Sequence, residues 1–351
     1  MPILSLSQAA QAAQAAQAAQ AAQAAQAAQA AQGTLSASSH GLLVARDGIG
    51  GVWQQPEPRP FPPVAAERLG DWQASSRLFI LIGEILSTMT VQPSMDGEAV
   101  ELLMHSGGSI ARIIRPSADD FAQQARLVHD YADLRSDRLA EITDQVAGST
   151  GYLTSLLPFD PARMPRTTDL LALAEQIAGF AAQACKHLLV CPRPHVLSAQ
   201  IQPMIATPGH GALPSGHATE AFAVAETLRR LTLGVVAAEA GPLLIQMAAR
   251  IAVNRTVAGV HYPADSFAGA VLGFAVAELI ATRARIASNP RSVSFDGTGI
   301  ANTDFFTAQV WSGSDWSFDG PGLSLQGNAP PVDVSPTVEW TWQEAAAEWG
   351  V

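Results

Sequence analysis

Lysine is almost missing from this chain. Of 351 residues, 20 are Lys or Arg, and a single one of these, Lys186, is lysine. Cysteine occurs twice, at Cys185 and Cys191. Six residues of helix rise about 9 Å, beyond the ~7 Å that a disulfide allows between Cα atoms. That spacing excludes a disulfide framework, and no zinc-type cysteine pattern is present. Positive charge is scarce as well: 31 acidic residues leave a formal charge of −11, with a pI near 5.1. A general nucleic-acid binder is excluded on that balance.

Long apolar runs are also lacking. "LFILIG" ends at Glu84, "LTLGVVAA" at Glu239 and "SFAGAVLGFAVA" at Glu278, each short of the ~20 residues a membrane span needs. The start, "MPILSLSQAAQ", has no basic region ahead of an apolar one, so no signal peptide is expected. The expectation is a protein without a transmembrane span, located in the cytoplasm.

The chain divides by texture into three regions. Residues 1–70 hold a Gln-Ala-Ala tract over 8–32, with Ser7 as cap and Gly33 as stop, then the Pro-rich "WQQPEPRPFPPV". A glutamine every third residue spirals around a helix instead of marking one face, so the tract reads as an appendage. Residues 71–290 carry helical periodicity, with segments near 72–91, 96–106, 118–147, 167–190, 216–232, 237–258 and 263–286. A long loop, 192–213, crosses one end. Residues 291–351 form an acidic, turn-rich extension with five tryptophans and, after Arg291, no basic residue. Those rings predict docking on the helices, on the chain's own or on a neighbour's in a homodimer. The fold class expected from this pattern is all-α, a compact helical bundle.

Three segments carry chemistry. In "LPSGHATEAFAVAETLRRL", Ser215 caps a helix whose first N–H groups are free to bind an anion. Gly216 lets another backbone come close, and His217 stands beside it as a proton donor. Alone, the tetrapeptide reads more readily as an ordinary capped helix with an incidental histidine. In "KHLLVCPRP", Lys186 offers a point charge and Arg193 a two-pronged fork, a pair suited to a tetrahedral anion. In "NRTVAGVHYPADSFAG", Arg255 adds a third cation, and His261 lies four residues before Asp265. A helix beginning at Pro263 brings these two together, and the carboxylate then fixes the imidazole tautomer. A zinc cluster of His187, His195, His210 and His217 has spacings of eight, fifteen and seven, unlike the usual pattern. His195 and His210 fit better as the lining of a substrate mouth.

In order and internal spacing, Lys186-x6-Arg193-Pro194, Pro214-Ser215-Gly216-His217 and Arg255-x5-His261-x3-Asp265 resemble the three motifs of the type 2 phosphatidic acid phosphatase and vanadium haloperoxidase superfamily. Asn254 stands where that family often has serine. The resemblance covers roughly residues 186–270. It implies a helical bundle of that family's kind. It also implies that Lys186, Arg193, Arg255, Ser215 and Gly216 hold phosphate oxygens, and that His261, oriented by Asp265, attacks phosphorus to form a phosphohistidine. His217 would then protonate the leaving alcohol and activate water. The function implied is metal-independent phosphomonoester hydrolysis without a cofactor, on a small phosphorylated substrate. The alternative is a haloperoxidase with vanadate on His261, which oxidises halide with hydrogen peroxide. Cys191, a thiol inside the Lys–Arg motif, favours the phosphatase, because an oxidant-generating centre would endanger it. A non-catalytic phosphate binder is disfavoured because none of the catalytic groups is lost.

Overall fold

Small residues set how closely the helices of this protein approach. The structure, a computed structural model, describes residues 39–45, 54–94 and 97–350. The Gln-Ala-Ala tract, with Ser7 and Gly33, lies outside the described residues, as does Trp53. Of the unit Met1–Val64, residues 54–64 have no regular secondary structure and are exposed, as the prolines dictate. The second unit is Ala65–Val351.

Its longer helices are α1 (Ala74–Leu86), α2 (Ala118–Asp130), α3 (Arg135–Asp144), α4 (Pro165–Leu189), α5 (Gly216–Leu231), α6 (Ala240–Val257), α7 (Pro263–Arg283) and α8 (Pro336–Trp349), with short helical turns at Thr150–Thr154 and Pro194–Leu197. Every residue of α7 is buried. It is the one helix among the described residues long and apolar enough to cross a bilayer, and its most apolar stretch lies wholly inside the protein. Helix α7 packs on α5 through Gly269 and Gly273. A Cβ at Gly269 would stand 2.6 Å from the Ala218 Cβ, and one at Gly273 would stand 2.5 Å from the Thr219 carbonyl oxygen. Only glycine permits this approach. It matters for function because Ser215 opens α5 and Asp265 lies in the first turn of α7. The two are joined by a backbone bond, Ser215 N–H to Asp265 O, at 2.9 Å.

The all-α expectation is wrong. Among the described residues 54% are helical, and they also contain a five-stranded mixed sheet. Its strands are β1 (Met89–Pro93), β2 (Ala99–Met104), β3 (Ser109–Ile114), β4 (Arg291–Asp296) and β5 (Leu323–Asn328), in that spatial order. The pair β3/β4 is parallel, with Ala111 opposite Val293, and the others are antiparallel. The segment expected as helix 96–106 is strand β2. "AVELLM" is too short for a helical period to be told from a buried strand. "HSGG" after it closes a hairpin, with Gly107 and Gly108 at φ of 96° and 91°. The expected helix 72–91 stops at Leu86, because β-branched Thr88, Thr90 and Val91 belong to the turn and to β1. The 118–147 helix is broken by a 3-10 segment at Tyr131–Leu134.

The C-terminal region lies within the second unit. It supplies β4, β5 and a helix, α8, that its turn-rich texture did not announce. Trp311, Trp316, Trp342 and Trp349 are buried. Trp316 donates its indole N–H to Glu226 of α5 at 2.9 Å, and Trp349 donates to the Thr167 hydroxyl at 3.0 Å. Glu348 caps the start of α4, accepting the N–H groups of Arg166 and Thr167 at 2.7 and 2.8 Å.

Candidate active site

The site gathers at one end of α4, α5, α6 and α7. Helix α4 ends at Leu189, and Val190 turns the chain in a left-handed conformation, φ 50° and ψ 42°. That turn lets Lys186, on the last full turn, and Arg193, beyond it, face the same loop. The Lys186 ammonium donates to the carbonyls of Gly211 and Ala212 at 3.1 and 2.8 Å, leaving one N–H free. Arg193 donates from Nε to His210 O at 3.1 Å and from Nη1 to Val260 O at 2.8 Å. This guanidinium therefore fastens the 192–213 loop to the segment before His261. Arg255, in the last turn of α6, donates to Gln145 Oε1 at 2.8 Å, while its Nε and Nη1 have no partner among the described residues.

Lys186, Arg193 and Arg255 are 3%, 4% and 1% exposed. Among the described residues none of the three is ion-paired with a carboxylate. Buried charge without a counter-ion is costly. Three such cations converging on one place form a site whose energetics call for an anion.

His261 and Asp265 meet as their spacing predicts, with Nδ1 2.7 Å from Oδ2. The same oxygen accepts the Tyr262 N–H at 3.0 Å. Asp265 therefore accepts the Nδ1–H hydrogen bond, which keeps the proton on Nδ1 and the lone pair on Nε2, 3.4 Å from Arg193 Nη1. Burial, then Lys186 and Arg193, hold the His261 imidazole well below its ordinary pKa, so it is neutral and nucleophilic. Burial also pushes the Lys186 ammonium down and the Asp265 carboxyl up, and their mutual attraction opposes both shifts.

Ser215 caps α5, its hydroxyl accepting the Ala218 N–H at 3.4 Å, which leaves its own hydrogen to donate. Gly216 follows it as the first residue of α5. His217 lies on the first turn with Nε2 3.0 Å from the Gln145 carbonyl. A carbonyl only accepts, so Nε2 carries the hydrogen and Nδ1 is the exchanging nitrogen. Burial, then Arg255, pushes His217 down to about 4.

A cavity of about 730 Å³ opens on the Lys186–Arg193 side. His187, His195 and His210 line it, and His210 Nδ1 lies 3.2 Å from Arg193 Nη2. Among the described residues no three His, Cys, Asp or Glu groups gather as a metal site. Cys191 lines the cavity too, buried, with its thiol pushed up to about 12 by burial.

Two residues that sequence reasoning left out or left peripheral join these parts. Asn254 donates to Glu141 Oε2 and Gln145 Oε1, both at 3.1 Å, and accepts from Arg138 at 3.0 Å. Gln145, fully buried, contacts Arg255, Asn254 and His217 at once. It ends an ordinary amphipathic helix 41 residues before Lys186, and no signal in the sequence marks it.

Residues 170–286 match the profile of the PAP2 superfamily, a span that contains every motif residue from Lys186 to Asp265 and excludes Gln145. No curated protein matches this chain. The match and the anion-directed geometry agree: the segment 170–286 is similar to the PAP2 superfamily, which points to phosphatase-type chemistry.

Proposed function

We propose that the protein hydrolyses a phosphomonoester through a phosphohistidine on His261, without a metal ion. One observation carries this reading: a neutral imidazole, oriented by Asp265 at 2.7 Å, sets its second nitrogen 3.4 Å from Arg193 and within the field of Lys186 and Arg255, and among the described residues none of these three buried cations is ion-paired with a carboxylate. Phosphoryl transfer mainly requires positioning and neutralisation of charge on the non-bridging oxygens. Lys186, Arg193 and Arg255 supply that charge, and Ser215 and Gly216 add neutral donors at the helix start.

In the first step His261 Nε2 bonds to phosphorus as the bond to the leaving oxygen breaks. His217 gives its Nδ1 proton to that oxygen. In the second step His217 takes a proton from water, the oxygen of which attacks phosphorus as the P–N bond breaks. Both histidines end as they began. A bound phosphate places negative charge beside His217 and raises its pKa from the low value of the free protein, which makes it an acid when substrate is present.

The test is a paired assay: p-nitrophenyl phosphate hydrolysis in EDTA, and bromide oxidation with vanadate and peroxide. Hydrolysis that survives EDTA, with an acid-labile phosphoryl group on His261, supports the proposal. Activity lost to EDTA and restored by Mg²⁺ or Zn²⁺, or bromide oxidation alone, overturns it.

A further inference from the structure

Gln145 has two kinds of contact, and they imply different things. Its main-chain carbonyl faces His217 Nε2 at 3.0 Å. Its side-chain oxygen accepts from Arg255 Nη2 at 2.8 Å and from Asn254 Nδ2 at 3.1 Å. Two donors on one oxygen fix which end of the amide is which, since a flipped amide would set NH₂ against both. The nitrogen end is thereby determined, and that nitrogen, fully buried, has no acceptor among the described residues. Arg255 Nε and Nη1 are in the same condition. Buried donors are nearly always satisfied. Here three unsatisfied donors belong to two side chains joined by one hydrogen bond, and one of those side chains is a cation of the anion pocket.

We infer that Gln145 is an anion-binding residue. Its Nε2 donates to an oxygen of the same tetrahedral oxyanion that Arg255 holds, while its Oε1 keeps Arg255 in place. The ligand class is phosphate or a phosphate mimic such as vanadate. The inference rests on the pocket being a phosphoryl site. It adds to that site a neutral donor from outside the segment that matches the family.

A residue that merely positions Arg255 would act only through Arg255, and a double-mutant cycle separates the two roles. The probe is inorganic vanadate, its dissociation constant measured by titration calorimetry on the full chain, with near-ultraviolet circular dichroism to confirm folding. Gln145→Met should weaken vanadate binding about tenfold, the size of one lost hydrogen bond. In an Arg255→Met background it should still weaken binding by about threefold or more. No effect of Gln145→Met in that background would overturn the inference.

Should Gln145→Met fail to fold, Gln145→Glu serves instead. Its carboxylate can hold Arg255 but cannot donate, so its affinity relative to wild type should fall from pH 5 to 8. A constant ratio would overturn the inference. Binding is independent of turnover. A wild type that binds vanadate but hydrolyses nothing refutes the phosphatase reading and leaves this test in force. A wild type that binds no vanadate refutes both.

Discussion

Substituting Gly269 by alanine should cost both stability and activity, whereas Gly273→Ala should cost mainly stability. A Cβ at Gly269 meets the Ala218 Cβ at 2.6 Å, the Ser215 carbonyl oxygen at 3.1 Å and the Thr219 nitrogen at 3.2 Å. Carbon atoms rest about 3.5–4.0 Å apart, so α5 and α7 must separate by about 1 Å at this crossing. Such overpacking costs about 1–3 kcal/mol, offset by about 1 kcal/mol because alanine favours helix over glycine. A net loss of up to about 2 kcal/mol lowers Tm by about 2–4 °C per kcal/mol in a domain of this size. The displaced atoms include Ser215, whose N–H is bonded to Asp265 O, so the strain falls on the join between the two halves of the site. A misplacement of about 1 Å can reduce turnover about 100-fold. At Gly273 the clashes are with Thr219 O at 2.5 Å, Phe222 Cβ at 2.9 Å and Ala223 N at 3.0 Å, one turn further from Ser215. Calorimetric Tm and kcat/KM for p-nitrophenyl phosphate, measured on both variants, decide the matter. If kcat/KM is unchanged in Gly269→Ala, or if neither variant loses stability, the close approach does not position the site.

His261→Ala should abolish turnover yet still bind vanadate, because the three cations remain; calorimetric titration checks the second half. His217→Ala should slow esters of poor leaving groups far more than those of good ones, and equal slowing would refute its role as the acid. Stability should fall as pH is lowered. His217 is held at about 4 when folded against about 6.5 when unfolded. The unfolded chain therefore binds the extra proton between those values, and the loss is spread over that window, with none of this origin above about pH 7. Inorganic phosphate should reduce the loss, and thermal melts from pH 4 to 8 would show it. Glu348→Ala uncaps α4 and should cost about 1–2 kcal/mol of stability with kcat unchanged. Lys186 stands about 30 Å further along that helix, so a large fall in kcat in a folded variant would contradict this.

The sequence by itself determined the local chemistry. A cap followed by glycine and histidine, a His and an Asp four apart at a helix start, and a lone lysine seven positions before Arg-Pro are short-range patterns. Their geometry follows from helix periodicity, so Ser215 caps α5 and Asp265 reaches His261 as the spacing requires. Only tertiary structure decided the rest. Strand β3 pairs in parallel with β4 across about 180 residues of chain, and no local period encodes such a partner. The C-terminal tryptophans reveal where they dock only when α4 and α5 present Thr167 and Glu226 to them. Gln145 gains a function from its neighbours alone: an amide at the end of an ordinary helix becomes a hub once α6 sets Arg255 and Asn254 against it and α5 sets His217 beside its carbonyl. Short-range rules are written in consecutive residues. The satisfaction of buried polar groups is settled only when distant segments pack together.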